Sequence, residues 1–141
     1  MHTEGNEKFR WLVIPTELGA RRLLGCELAR ELDGDVLRVR IVETEAYDQD
    51  DEASHAYRGP TPRNATMFGP AGHLYVYTMH GHHCCNVVTG HAGYGQGALI
   101  RAVEPLDGEA TMRRRRGGRS GLELTNGPGK VCQALGITRE P

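Results

Sequence analysis

The chain has 141 residues, which is enough for one domain with a hydrophobic core and too few to expect two. Its 38% hydrophobic and 25% charged residues are ordinary for a globular protein, and its net charge of −1 excludes the strongly basic composition of many nucleic-acid-binding domains. Met1 does not begin a charged and then apolar leader, and no apolar run approaches membrane-spanning length. We therefore expect an intracellular protein with no secretion signal and no membrane partner.

The N-terminal half predicts one helix and one β-hairpin. Thr16 can cap a short helix that runs to Leu24, and Gly25 favours its end there. Residues 26–30 and 36–44 have strand character and flank Asp33-Gly34, a pair that is typical of tight hairpin turns.

The second half predicts three more strands and two more helices. Strands are favoured at residues 74–79, 86–89 and 98–103, the last of which ends before Pro105. Helices are favoured at residues 109–115 and 128–136, because Pro128 suits a first helical position and Gly136 suits a helix end. Together the elements predict a single mixed α+β domain over residues 1–141, with a curved, mostly antiparallel β-sheet and peripheral helices.

Acidic residues lie where the strand pattern predicts buried apolar ones. Leu37, Val39 and Ile41 share one face of a strand, and unbroken alternation places Glu43 and Glu45 on the same face. An acidic loop with a histidine follows, and then a turn segment that contains arginine and proline. This order is typical of a strand end that opens into a substrate-binding loop.

Glu45 is the sharpest candidate for chemistry. A carboxylate at a strand end beside Tyr47 can hold and deprotonate a water, and partial desolvation raises its basicity. Two structural interpretations stay open: a bulge turns the side chain outward, or an arginine pairs with it.

The segment from His80 to Cys85 contains several potential metal ligands. Imidazole and thiolate are the usual zinc ligands, but the spacing lacks paired Cys-x-x-Cys or separated histidines. In a strand, His82 and Cys84 would face away from His83 and Cys85, so the side chains need not converge. We expect no bound metal, with a metal-binding module as the weaker alternative, and we expect the four cysteines to be reduced thiols.

Two further groups have both a structural and a nucleic-acid interpretation. Tyr75 and Tyr77 share a strand face, so they either pack in the core or form a stacking surface for a nucleobase. The run Arg113–Arg116 with Arg119 is either a solvated loop or a phosphate-binding cluster.

Seven sequence blocks follow one another between about Leu23 and Ile137: VETEAY, SHAYRG, TPRN, MFGP, LYVY, RAVEPL and GPGKVCQAL. In order and spacing they resemble the alkyladenine, or 3-methyladenine, DNA glycosylase family. The resemblance implies a monofunctional glycosylase that acts as a monomer on duplex DNA containing damaged purines, without metal or cofactor. It would act in the cytoplasm of a bacterium or the nucleus of a eukaryote. The damaged nucleotide must be flipped out, because its reacting sugar carbon cannot be reached within the base stack.

The resemblance also implies roles for individual residues. Glu45, the second glutamate of ETEAY, would activate the attacking water. The base pocket would contain Tyr47, His55, Tyr77 and Asn86, with the tyrosines stacking on the base and Asn86 rejecting guanine. The residue inserted into DNA would be His80, where the family typically has tyrosine. The DNA backbone would be bound by Arg58, Arg63, Arg101 and Lys130.

The family usually continues well past the GPGKVCQALGI block, whereas this sequence ends at Pro141. The chain therefore looks C-terminally truncated relative to the family. The alternative function is a truncated, catalytically poor DNA-binding remnant, because missing strands would leave an exposed sheet edge and an incomplete core.

Overall fold

A computed structural model of the chain describes residues 8–139. The α-helices in this range are α1 (Thr16–Leu23), α2 (Glu109–Arg115) and α3 (Pro128–Leu135). The strands are β1 (Glu27–Leu32), β2 (Asp35–Tyr47), β3 (Leu74–Met79), β4 (His82–Val88) and β5 (Gly97–Asp107). They form a curled antiparallel sheet in the order β1-β2-β5-β4-β3, which confirms the predicted mixed α+β fold. None of the described helices is long and apolar enough to cross a membrane.

The predicted hairpin between β1 and β2 is confirmed. Its two-residue turn consists of Asp33 and Gly34, with φ angles of 53° and 83°. Positive φ at both central positions matches the right-handed twist of the flanking strands, and glycine and aspartate tolerate it well. The paired register reaches Glu27, the first residue of β1, opposite Arg40. The antiparallel β2 therefore continues well beyond the start of β1.

Several details differ from the sequence predictions. β4 begins at His82 rather than at Asn86, and β5 continues through Pro105 to Asp107. In the β4–β5 register, β5 has already passed the start of β4 when it reaches Pro105. The N–H that proline lacks therefore costs no hydrogen bond to β4. Thr16 does not cap α1, because its hydroxyl donates to Gly97 O at 3.0 Å, and the Pro15 carbonyl accepts the first helical N–H groups instead.

The chain divides into two compact units, and each of the strands β2 to β5 contributes residues to both. The first unit contains residues 8–22, 45–75 and 86–99. Its buried side chains come from the N-terminal turn, the loop after β2, and parts of β3 to β5, and include Leu12, Ala56, Met67, Tyr75, Val88 and Leu99. This unit carries Glu45, Tyr47, His55 and Asn86.

The second unit contains residues 23–44, 76–85 and 100–139. Its core is formed by the inner face of β2, by β5 and by the two C-terminal helices, and includes Leu37, Val39, Ile100, Met112, Val131 and Leu135. Gly136, with a φ of 67°, ends α3, and the Ile137 N–H closes that end on Cys132 O at 2.9 Å. This unit carries Tyr77, His80, Arg101 and Lys130.

Candidate active site

Glu45 and Tyr47 lie at the C-terminal end of β2 and are both half-buried. The Tyr47 hydroxyl donates a hydrogen bond to Glu45 Oε1. Residues two apart on a strand point to the same side, so the strand itself brings the carboxylate and the aromatic ring together. The bond holds the carboxylate in one orientation at the strand end.

The expectation that Glu43 shares the buried face is wrong. Burial alternates from Leu37 to Ile41, but Val42 and Glu43 are both exposed. At Glu43, β2 has already passed the start of β1, so β1 no longer lies beside it. The Glu43 side chain pairs with Arg101, whose Nε lies 4.0 Å from Glu43 Oε1. The ion pair is largely solvated and contributes little to stability.

His55 lies on the loop that follows β2, with its ring partly exposed. Its Nδ1 is 3.2 Å from the Tyr75 hydroxyl, and the two rings meet edge to face with centroids 6.0 Å apart. Burial, and then the nearby Arg63 guanidinium, lower the pKa of His55 below its ordinary value. The imidazole is therefore kept neutral near pH 7, so one ring nitrogen donates and the other accepts.

Asn86 is 3% exposed on β4, and its Nδ2 donates to Tyr75 O at 3.4 Å. Opposite it in the register is Leu99, two residues after Gly97. A Cβ on Gly97 would come within 3.2 Å of Val87 O and 3.7 Å of Asn86 Cβ, so glycine permits the close approach of β5 here. Tyr75 thus joins His55, through its hydroxyl, to Asn86, through its carbonyl.

Tyr75 is the one member of this cluster to which the sequence assigned no definite role. It is 4% exposed, which fits the interpretation of ordinary packing, yet its hydroxyl reaches a candidate pocket residue. Its position on the same strand face as Tyr77 was the available signal. Alternation alone could not reveal the hydrogen bond to His55, because that bond depends on where a distant loop lies.

In the second unit, Tyr77 is 8% exposed and hydrogen-bonds the Cys84 thiol. Burial raises the pKa of Cys84, and so does the neighbouring Cys132, while the Tyr77 bond opposes them. His80 is exposed at the tip of the β3–β4 hairpin, where it and Gly81 have φ angles of 50° and 81°. The hairpin therefore presents His80 to solvent on a two-residue turn.

A cleft of about 780 Å³ opens beside this hairpin. It is lined by the hairpin, by the segment between α2 and α3 and by the start of α3, including His80, His82, Arg119, Glu123, Gly127 and Lys130. A Cβ on Gly129 would meet His82 Cβ at 2.9 Å, so glycine lets α3 approach β4 closely. Lys130, in the first turn of α3, donates from Nζ to Asn126 Oδ1 at 2.7 Å.

The arginine run is not simply a solvated loop. Arg113 and Arg114 are exposed on α2, but Arg116 is only 8% exposed. Its guanidinium donates to Leu124 O at 3.1 Å, Glu123 O at 3.0 Å and Gln133 Oε1 at 2.7 Å. Arg116 is thus a structural cross-link between the segment before α3 and α3 itself, while Arg58 and Arg63 are exposed in the loop of the first unit.

The potential metal ligands around β4 do not converge. Within residues 8–139, no three histidine, cysteine or acidic side chains are placed to share a metal ion. His82 is exposed, whereas Cys84 and Cys85 are buried, and all four cysteines are free thiols. The Cys85 thiol hydrogen-bonds Cys132, and this bond, with burial, raises the pKa of Cys132 far above its ordinary value.

The fold and its side chains define a mixed α+β protein with a half-buried carboxylate beside a tyrosine at the end of a strand. The chain belongs to the methylpurine-DNA glycosylase family, whose model matches residues 10–141. This confirms the family indicated by the sequence blocks.

Curated relatives described as candidate 3-methyladenine DNA glycosylases are similar to most of the chain. The protein of Carboxydothermus hydrogenoformans is 54% identical over 119 residues, which cover 84% of this chain and 62% of the relative. The protein of Nitrosospira multiformis is 55% identical over 81% of this chain and 62% of its own length. That of Methanoculleus marisnigri is 52% identical over 86% and 63%, respectively. The chain thus spans about three fifths of the length of these relatives.

Proposed function

We propose that this chain is a DNA repair glycosylase that flips an alkylated or deaminated purine out of duplex DNA and hydrolyses its N-glycosidic bond. The observation that carries the proposal is the half-buried Glu45 carboxylate at the end of β2, held by Tyr47, in a chain of the methylpurine-DNA glycosylase family. The descriptions of the relatives favour 3-methyladenine as one substrate.

Glu45 is the group that would activate water. As the bond between C1′ and the base nitrogen breaks, positive charge develops on the sugar and the bonding electrons leave with the base. The carboxylate stabilises that charge and accepts a proton from the water whose oxygen forms the new bond to C1′. A base such as 3-methyladenine is already cationic and leaves as a neutral molecule, whereas hypoxanthine takes up a proton from water as it leaves.

The base pocket follows from the aromatic residues. Tyr47 and Tyr77 would stack on the flipped base, and a cationic purine gains cation–π attraction that a normal base lacks. His55 would form the third wall and hydrogen-bond the nucleotide. Asn86 would reject guanine, because the exocyclic amine of guanine would clash with a side chain that is already packed against the β3 backbone.

The DNA backbone would be bound by four cations, of which Arg58 and Arg63 are exposed and Arg101 and Lys130 are half-buried. Arg58 and Arg63 extend from the loop of the first unit, and Arg101 and Lys130 belong to the second. His80 would enter the duplex in place of the extruded nucleotide, because it lies exposed at the tip of a hairpin. Each phosphate neutralised releases counterions, so the affinity for DNA should fall steeply as the salt concentration rises.

The direct test is release of free base from duplexes that each carry one lesion. The purified chain is incubated with duplexes containing hypoxanthine or 3-methyladenine and with an undamaged duplex of the same sequence, and abasic sites are counted after alkaline cleavage. The proposal predicts abasic sites in the lesion duplexes alone. Tight binding of the lesion duplexes without release would instead support a catalytically poor DNA-binding protein.

A further inference from the structure

Asn64 is a buried polar residue within an otherwise exposed segment. It is 4% exposed, although Thr61, Pro62 and Arg63 before it and Ala65 after it are all exposed. A buried carboxamide is stable only when its polar atoms are hydrogen-bonded. Its surroundings therefore show what the residue holds in place.

The Asn64 side chain binds the backbone of the loop that carries His55. Its Nδ2 donates to His55 O at 2.8 Å and to Gly59 O at 3.2 Å, and its Oδ1 accepts from Thr61 N at 2.7 Å. The Asn64 backbone N–H in turn donates to Thr61 Oγ1 at 3.2 Å. Both hydrogens of the amide and one acceptor site are thus used on main-chain groups of a single loop.

Asn64 is itself anchored to the core. It immediately precedes the short 3-10 helix Ala65–Phe68, and Asn64 O accepts from the N–H of Met67, which is 2% exposed. The loop is therefore connected to a helix whose Met67 is buried, and not only to its own residues. Hydrogen bonds within the loop, such as the one that the Ala56 N–H donates to Ser54 Oγ at 3.1 Å, define the local shape of the loop but not its position.

A second contact restrains the start of the same loop. The Tyr94 hydroxyl donates to Asp48 Oδ1 at 2.5 Å, and the Gly95 N–H donates to Gln49 Oε1 at 2.8 Å. A Cβ on Gly95 would lie 2.7 Å from Ala56 Cβ, so only glycine allows this segment to pack beside the residue that follows His55. The loop is thus restrained both ahead of His55 and behind it.

We propose that Asn64 is a positioning residue, whose carboxamide fixes the backbone at His55 and thereby holds the imidazole against Tyr75 and the base. The role in base binding rests on the proposed function, since it assumes that His55 contacts the flipped nucleotide. The 3.2 Å separation of His55 Nδ1 and the Tyr75 hydroxyl leaves little tolerance, because a hydrogen bond weakens steeply when its atoms move apart.

The test is the isosteric substitution Asn64→Asp. The carboxylate can still accept from Thr61 N, but it replaces two donors with acceptors that face the carbonyls of His55 and Gly59. The enzyme concentration that half-saturates single-turnover base release should rise about tenfold, equivalent to one lost hydrogen bond. The plateau rate should change much less, because Glu45 is not displaced.

A second readout does not depend on catalysis. In the wild-type chain the pKa of His55 is lowered by burial and by Arg63. In Asn64→Asp the released ring should titrate closer to its ordinary value of 6.5, as followed by NMR with His55→Gln to assign the signal. Asn64→Ala, which lacks the repulsive carboxylate, should shift the same signal in the same direction and serves if the aspartate variant does not fold.

The matched control is Thr125→Val, which removes a buried bond to a backbone carbonyl, Val103 O at 2.5 Å, in the second unit. It should lower stability without changing the His55 titration or the half-saturating concentration. Folded Asn64 variants that keep both wild-type values would overturn the positioning role. Absence of base release by the wild-type chain would instead refute the proposed function, and the NMR result would still decide the role of Asn64 in holding His55.

Discussion

Replacement of the buried Arg116 by methionine tests the cross-link between the segment before α3 and α3. Arg116 is 8% exposed and donates to the backbone carbonyls of Glu123 and Leu124 at 3.0 and 3.1 Å. Methionine fills much of the same space but leaves both carbonyls without this donor, at a cost of about 1.5 kcal/mol each. The third bond is made to Gln133, an exposed residue that can turn to water, so it adds little. We expect a loss of about 3 kcal/mol in the free energy of unfolding.

The assay is urea denaturation followed by circular dichroism, with Arg114→Met as the control. Arg114 lies on α2 but is exposed, and its guanidinium donates to Thr111 Oγ1 at 2.9 Å. Its replacement should change the free energy of unfolding by less than about 0.5 kcal/mol. Equal losses in the two variants, with unchanged denaturant slopes, would refute the idea that Arg116 is a structural residue.

Two further predictions follow from the titratable groups. Because the pKa of His55 is lowered in the fold, its contribution to stability is complete above the ordinary value of 6.5 and is lost as the pH falls through the lowered value. Stability should therefore fall on acidification from pH 6.5 more steeply in the wild type than in His55→Gln, and equal slopes would contradict this. Iodoacetamide should label Cys26 first in the native chain, since it is half-buried while the other three cysteines are buried, and mass spectrometry should show four adducts only in urea. Early labelling of a second thiol would show that the buried cluster opens readily.

Local sequence signals were sufficient for much of the fold. Asp33-Gly34 predicted its hairpin because two positive φ angles are rare outside such pairs. Pro128 and Gly136 predicted the ends of α3 for similar backbone reasons. The alternation of the strand predicted the wrong burial at Glu43. Burial there depends on where the pairing with β1 stops, and the residues of β2 do not encode that position.

The site was predictable in part. The position of Glu45 at a strand end and the loop with His55 followed from the pattern, and the family resemblance supplied their roles. The burial of Arg116 and Asn64 could not be predicted from the sequence. Each side chain donates hydrogen bonds to backbone carbonyls that only the tertiary structure brings close to it. A run of arginines and a turn segment rich in proline both look solvated when read alone.

The most direct test of the account compares Glu45→Gln with the wild type in single-turnover release of hypoxanthine from a duplex. Glu104→Gln is the control, because Glu104 is an exposed glutamate on β5. The account predicts that Glu45→Gln lowers the release rate at least about 100-fold and leaves the affinity for the lesion duplex nearly unchanged, while Glu104→Gln behaves as the wild type. Release by Glu45→Gln at the wild-type rate would contradict the central role of this carboxylate.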